Sequence, residues 1–589
     1  MKPGRSVSTL KARSFIKKGF SLVEIILAAS IFALLVTVFV GAFIFAREST
    51  ALAGSRARAV LIAEEGLEAT RNIRDGDFAS LTDGNHGLDN SSNNWNFNST
   101  SDVSDVFTRQ IAISTIDANT KQVVANVTWQ QNAQRTGSVA LTTRLTNWLS
   151  AVSTLTGGLL FYGDGTTTPK YRAYDSSANT FGTETGSAIS ASGQTFVMRV
   201  SPTKTEAIAG YVTSTGVLNV MCFNGLTWSQ EWTANVGGTG TTRRFDIAYE
   251  TTTGDVMVLY STNTATTNEL AYRSKPGNAG CRTAWSGPTN LDPIRTSGIV
   301  QWVKMAWDRR AGQNLITAIW ADANSDLSAM VWSGSAWGNE PSTAMTTTLE
   351  VIATAQDVED FDVEYESLSG DLMVVWSNVG GANVNTVRYR ICTGGLPACT
   401  WSAITTPPTF RDDATNLDIS VNPNTDEIVF ASIGNAQSDL QLGYWSGSAW
   451  TNTANTDTSC NTPITGSKLV STGWLISGAT TRSVVVYQDQ GSNNVDWYVG
   501  NAGTFTKQTD AAVSPSPANP KGYLDIQMNP LSEDQLMYVI SDNANDLFAK
   551  RLAMTAVPAF TWTNSDGTAL ETTLPQKINS PFAFAYWRQ

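Results

Sequence analysis

Hydrophobic residues fall into three regimes along the chain. From Ile25 to Ala46, 22 consecutive residues carry no charge and are rich in Leu, Val, Ile, Phe and Ala. At ~1.5 Å per residue this predicts one helix long enough to cross a bilayer core. From Ala51 to Arg74, apolar or small residues recur at Leu52, Ala59, Ala63, Leu67 and Ile73 with charges between them. That spacing predicts a continuing helix with one polar face. VVANVTW and VALTTRL then alternate apolar and polar positions, which predicts half-buried strands within 107–113, 122–130 and 138–145. Between helix and strands, the stretch from Asp75 to Asp105 is polar and reads as loop.

Beyond residue 150 the pattern becomes periodic. Aromatic residues follow short turns at Phe181, Trp228, Trp285, Trp337, Trp401, Trp450, Phe505 and Trp562, at intervals of 47 to 64 residues. Each is preceded by strand-like runs such as SAMVWSG or LQLGYWSG. Before those come apolar runs such as GDVMVLYS, NLITAIW and GDLMVVWS. Most copies open on a further strand: FDIAYE, VKMAWD, FDVEYE, LDISVN or LDIQMN. Four short strands per repeat, repeated radially, define a β-propeller. A β-sandwich array would need roughly 100 residues per unit, and no segment here has helical period. The region opens on GGLLFYGDG, which matches the second strand of a repeat. It ends on FAFAYWRQ, which matches a first strand. Joining the termini within one sheet would remove a free edge. Eight blades are expected, with seven if one copy is irregular.

Composition moves this picture outside the cell. Of 589 residues only 15% are charged and the net charge is −12, yet the first 19 residues hold six Lys or Arg and no acid. That asymmetry keeps the N-terminus in the cytoplasm and exports the acidic remainder. It also argues against nucleic acid as a partner, since phosphates need a basic surface. Cys392 and Cys399 flank TGGLPA, and a disulfide across that loop suits an oxidising compartment. Of the other cysteines, Cys222, Cys281 and Cys460, at least one stays free or pairs between chains. The single histidine, His86, lies in LTDGNHGLDN and reads as surface loop.

Lys17-Lys18-Gly19 followed by Phe20-Ser21-Leu22-Val23-Glu24 resembles the processing site of type IV pilin-like proteins. The resemblance implies that a prepilin peptidase cuts after Gly19 and that the new amino group of Phe20 is methylated. It also implies that Glu24 pairs with the N-terminal amine of a neighbouring subunit during filament assembly, a salt bridge in apolar surroundings that sets register. On this resemblance residues 1–19 are a leader, 20–75 a membrane or filament helix, and 76–150 a small antiparallel β head; 151–589 form the propeller.

Three sets of residues are candidates for chemistry. Asp246, Asp362, Asp418 and Asp525 each occupy the second place of a repeat's first strand. They would form a ring of carboxylates at the channel mouth or, the plainer reading, hold backbone N–H groups of the adjacent blade. Asp322, Asn324 and Asp326 in DANSDL, with Asp542 and Asp546 in SDNANDL, alternate oxygen donors in tight loops as calcium ligands do; Asx turns are the plainer reading. The periodic aromatics read as blade-to-blade core, whereas Trp232, Trp445 or Trp497 would stack on sugar rings if exposed. Propeller sialidases resemble this region in architecture alone, because their repeated S-x-D-x-G-x-x-W turn is missing. No arginine cluster, nucleophile motif or paired-carboxylate motif stands out. No enzyme activity is expected, and no cofactor beyond calcium is considered. The expected protein is a minor pilin, assembled with other pilin subunits, whose propeller binds a surface glycan or protein as an adhesin. The alternatives are a secretion pseudopilin touching cargo and a filament-tethered glycan hydrolase.

Overall fold

In a computed structural model the chain is described over residues 21–588 apart from short segments: 77, 91–94, 118–119, 133–134, 148–156, 188, 239–241, 293–297, 352–356, 381–383, 395–397, 409, 411–412, 512–521, 557–558 and 565–567. Gly19 and Phe20 therefore lie outside the described residues. Two compact units divide the chain, Met1–Ser153 and Thr154–Gln589.

The first unit is built on one helix, α1 (Leu22–Gly76). Its first half buries nothing within the chain: Phe32, Phe39, Phe43 and Phe45 are all exposed. By length and composition this segment can cross a membrane. Its second half buries Ala59, Ala63, Gly66, Leu67, Ala69, Thr70 and Ile73 against Phe107, Ile111, Val123, Ala125 and Val127 of the sheet. Small residues on this stripe bring helix and sheet close together. The sheet comprises β1 (Gly84–Asp89), β2 (Asn96–Asn98), β3 (Asp102–Ser104), β4 (Phe107–Asp117), β5 (Thr120–Asn132) and β6 (Arg135–Thr146), in the antiparallel order β2-β1-β4-β5-β6 with β3 also on β4. The stretch 75–105 expected as loop thus contributes three edge strands. His86 lies on β1, where Nε2 is 2.8 Å from the Thr82 carbonyl oxygen. The buried Arg109 guanidinium ties β3 to the rest by donating to Asp102 at 2.9 Å.

The second unit holds eight small antiparallel sheets among the described residues. Their first strands are Gly193–Val200, Phe245–Tyr249, Val300–Trp307, Phe361–Tyr365, Ala414–Val421, Val470–Ser477, Tyr523–Met528 and Phe582–Tyr586. Each packs beside the next in that order, and the last packs beside the first, so the sheets form a closed ring. The last described strand joins the two ends of this unit within one sheet: Phe582 pairs with Tyr162 and Tyr586 with Gly158. Second strands such as Val256–Ser261, Ile316–Asp322 and Leu372–Ser377 are buried at every position, which explains their unbroken apolar runs. Fourth strands such as Trp228–Asn235 are partly exposed and mix in polar residues. Successive sheets approach so closely that a Cβ on Gly210 would lie 2.3 Å from the Phe245 ring.

Candidate functional site in the central channel

The first strands enclose a cavity of ≈ 300 Å³. Of the four repeated aspartates, Asp362, Asp418 and Asp525 stand on its wall, and the oxygens of all four are largely committed. Asp246 is fully buried; it accepts from its neighbour Ile247 N at 2.7 Å and from Met305 N of the next sheet at 2.9 Å. Asp362 repeats the arrangement with Val363 N at 2.6 Å and Ile419 N at 3.0 Å. Asp418 accepts from Thr472 N at 2.7 Å and Thr472 Oγ1 at 2.9 Å. In three of the sheets one carboxylate thus clasps the backbone of the next. Asp525 departs from the pattern, accepting from Lys468 Nζ at 3.1 Å and Gln527 Nε2 at 2.9 Å.

A purely acidic ring is not what results. Lys304 Nζ lies 2.6 Å from Asp362, and Lys468 Nζ lies 3.0 Å from Asp418 and 3.1 Å from Asp525. Arg243, just before a first strand, reaches Glu359 at 2.5 Å. Acids and bases therefore alternate around the side where the strands enter. Burial alone would raise the Asp418 carboxyl, but Lys468 and Lys304 outweigh it and hold the group below its usual range. The sequence could not show these bases as partners, because they come from sheets far apart in the chain.

Where the strands end, the character of the wall changes. Arg199, Arg309 and Arg588 converge on one indole: their guanidinium carbons lie 5.8, 5.8 and 5.3 Å from the Trp307 ring centroid. This arginine cluster was not legible in the sequence, since the three residues stand after three different first strands or near the end of one. Glu364 faces them, 3.8 Å from Arg309. Burial pushes the Glu364 carboxyl up to about 7, with Arg309 opposing. Burial, together with Arg309 and Arg199, pulls the Arg588 guanidinium down to about 10.

The remaining candidates lie elsewhere. Asp322 Oδ1 accepts from Asn324 N at 2.8 Å and Asp326 N at 3.1 Å, while Oδ2 accepts from Gly298 N at 2.8 Å. Asp542 Oδ1 likewise accepts from Ala544 N and Asp546 N, both at 2.9 Å. Both loops are Asx turns in which the leading carboxylate is directed at backbone amides. Trp232, Trp445 and Trp497 are buried, so the condition for stacking on sugar rings is not met. Trp445 Nε1 donates instead to Glu366 of the preceding sheet at 2.6 Å, as Trp332 Nε1 does to Glu250 at 2.7 Å. Of the periodic aromatics, Trp285 precedes its sheet's fourth strand (Thr289–Leu291) rather than lying in it, and donates to Glu231 at 2.7 Å. Cys392 is disulfide-bonded to Cys399 and Cys222 to Cys281, and Cys460 is a buried free thiol. Glu24 Oε2 accepts from Ser21 N at 3.0 Å while Ser21 Oγ accepts from Val23 N at 3.4 Å, a capping box at the start of α1.

No protein-family model matches the chain, and no curated protein matches it. Among solved structures it is similar to the BP39L lectin from Burkholderia pseudomallei, at 12% identity and TM-score 0.44 over 64% of this chain and 99% of that one. It is also similar to the fucose-specific lectin from Aleuria aurantia, at 10% identity and TM-score 0.32 over 54% and 92%. A chain of the mitotic checkpoint complex is similar to the same degree, at 12% identity and TM-score 0.34 over 63% and 87%. These likenesses are architectural and carry no ligand with them.

Proposed function

We propose that the chain is a minor pilin that displays an eight-bladed β-propeller outside the cell, where the propeller binds a surface glycan or protein. The observation that carries this reading is the division of α1. Half of it is apolar and unburied within the chain, so it needs a bilayer or neighbouring helices, while its other half is fixed to a small sheet. A Glu24 carboxylate that caps the first turn of such a helix suits pairing with a neighbour's amine, with the capping box exchanged for that bond on assembly. The closed ring of sheets supports binding: it is a rigid mount whose loops and channel mouths vary without disturbing the clasps between sheets. A unit this large would crowd helical packing if every subunit carried one, which favours a rare subunit at the filament tip.

The test is incorporation. Glu24→Ala and Gly19→Ala variants should be lost from sheared surface filaments while remaining in the membrane fraction. Undiminished incorporation of both would end the pilin reading. Binding is tested separately, on a glycan array with the purified full chain; turnover of the bound glycan would replace the adhesin with a hydrolase.

A further inference from the structure

Three guanidinium groups around one indole need a reason, because like charges repel; Arg309 is exposed and Arg199 and Arg588 are half-buried, so a solute can reach them. Arg309 has Glu364 at 3.8 Å, beyond hydrogen-bonding distance. Arg199 donates to the Met198 carbonyl oxygen at 3.1 Å and, at 3.4 Å, to Asp246. Asp246 already serves two backbone amides. Arg199 Nε is buried with no hydrogen-bond partner, and so is Ser420 Oγ on the same cavity wall. Arg588 stacks on Trp307 and has no carboxylate partner among the described residues. The opposite side of the channel carries its own counter-charges, so the imbalance is local. It also stands out in a chain of net charge −12.

We propose that the strand-end mouth of the channel, formed by Arg199, Arg309, Arg588 and Trp307, is a binding site for a small oxyanion: the carboxylate or sulfate of an acidic sugar, or the free inorganic ion. Guanidinium forks match such groups two oxygens at a time. A cavity of ≈ 300 Å³ is at the lower limit of ligand pockets and admits one sugar ring or one ion. Glu364 is the competing anion of the site. When it is protonated the mouth gains positive charge, so oxyanion binding strengthens as pH falls through 7. The site does not rest on filament display, since a chain that failed to enter filaments would still possess it.

Calorimetry on the full chain in non-ionic detergent tests this, with sodium glucuronate, methyl glucoside and sodium sulfate as probes at fixed ionic strength. Glucuronate should bind and methyl glucoside should not. Sulfate binding without glucuronate would support the site with the inorganic ion as its ligand. Arg588→Gln and Arg309→Gln should each weaken binding by about tenfold or more, and Arg588→Lys should restore only part of it, because an ammonium lacks the fork. Glu364→Gln should tighten binding at pH 8 and flatten its pH dependence, a readout that a merely destabilised variant would not give. Absence of saturable binding by both anions, or binding unchanged in both arginine variants, overturns the proposal.

Discussion

Removing residues 580–589 should unfold the ring of sheets. The segment contains the strand Phe582–Tyr586, which pairs along its length with Gly158–Tyr162. Phe582, Phe584, Tyr586 and Trp587 are each at most 4% exposed. Phe584 alone contacts the rings of Phe181, Tyr174 and Tyr586 at 6.1, 6.1 and 4.9 Å. Truncating one such side chain to alanine costs about 3–5 kcal/mol, so the four together represent roughly 12–20 kcal/mol. Neighbouring residues couple, and even half that sum rivals the whole stability of a typical domain, about 5–15 kcal/mol. The deletion also bares the edge of Gly158–Tyr162 and invites aggregation. Urea unfolding followed by tryptophan fluorescence, with limited trypsin digestion as a second probe, measures the effect. Phe584→Ala supplies the graded version, an expected loss of about 3–5 kcal/mol. A truncated protein with the parent's urea midpoint and protease resistance would refute the reasoning, because the ring would then not depend on its last strand.

Four further outcomes follow from the packing. Asp418→Ala strands the Thr472 amide and hydroxyl and leaves Lys468 with Asp525 alone, so it should cost about 3–5 kcal/mol; Asp525→Ala, which strands no backbone amide of the next sheet, should cost distinctly less in the same urea assay. Replacing the Cys222–Cys281 pair, separated by 59 residues, should destabilise by about 4 kcal/mol, against about 2.5 kcal/mol for Cys392–Cys399, separated by 7; equal losses would contradict the loop-closure argument. Burial pushes Glu350, Glu364 and Asp496 up to about 7. Between their ordinary values of 4.5 or 3.8 and 7 the folded state holds protons that the unfolded state has released, so stability should rise as pH falls across that window. Asp457, held at about 2 against burial by Lys507, Tyr487 and Ser459, opposes this only as pH falls below 3.8, which sets the expected maximum near pH 4–5. A melting temperature unchanged from pH 8 to 5, or an unaltered slope in Glu350→Gln, would count against it. Finally, burial and nearby carboxylates push the Cys460 thiol far up, so iodoacetamide should label it only in denaturant; rapid labelling of the native chain would place that thiol elsewhere.

The ring was legible because its signal is repeated. Buried second strands write continuous apolar runs into the sequence, and FAFAYWRQ could be recognised as a strand in search of its sheet. Ala59, Ala63 and Leu67 marked the packed face of α1 for the same reason: burial at fixed spacing. The strands β1 to β3 were not legible, since GNHGLD and its neighbours pair by backbone at a sheet edge and bury few side chains. Exposure of Trp232, Trp445 and Trp497 could not be read, because an aromatic beside polar residues looks the same whether its indole meets solvent or a neighbouring sheet. The meeting of Arg199, Arg309 and Arg588 lay beyond any local pattern. It arises only when the ring closes and brings the chain's last residues beside its early strands.

Closure has a consequence for biosynthesis. Translation delivers Gly158–Tyr162 long before its partner Phe582–Tyr586. A fragment that lacks Phe582–Tyr586 holds no complete circle, so the nascent polypeptide waits, unlatched, until that strand has been made.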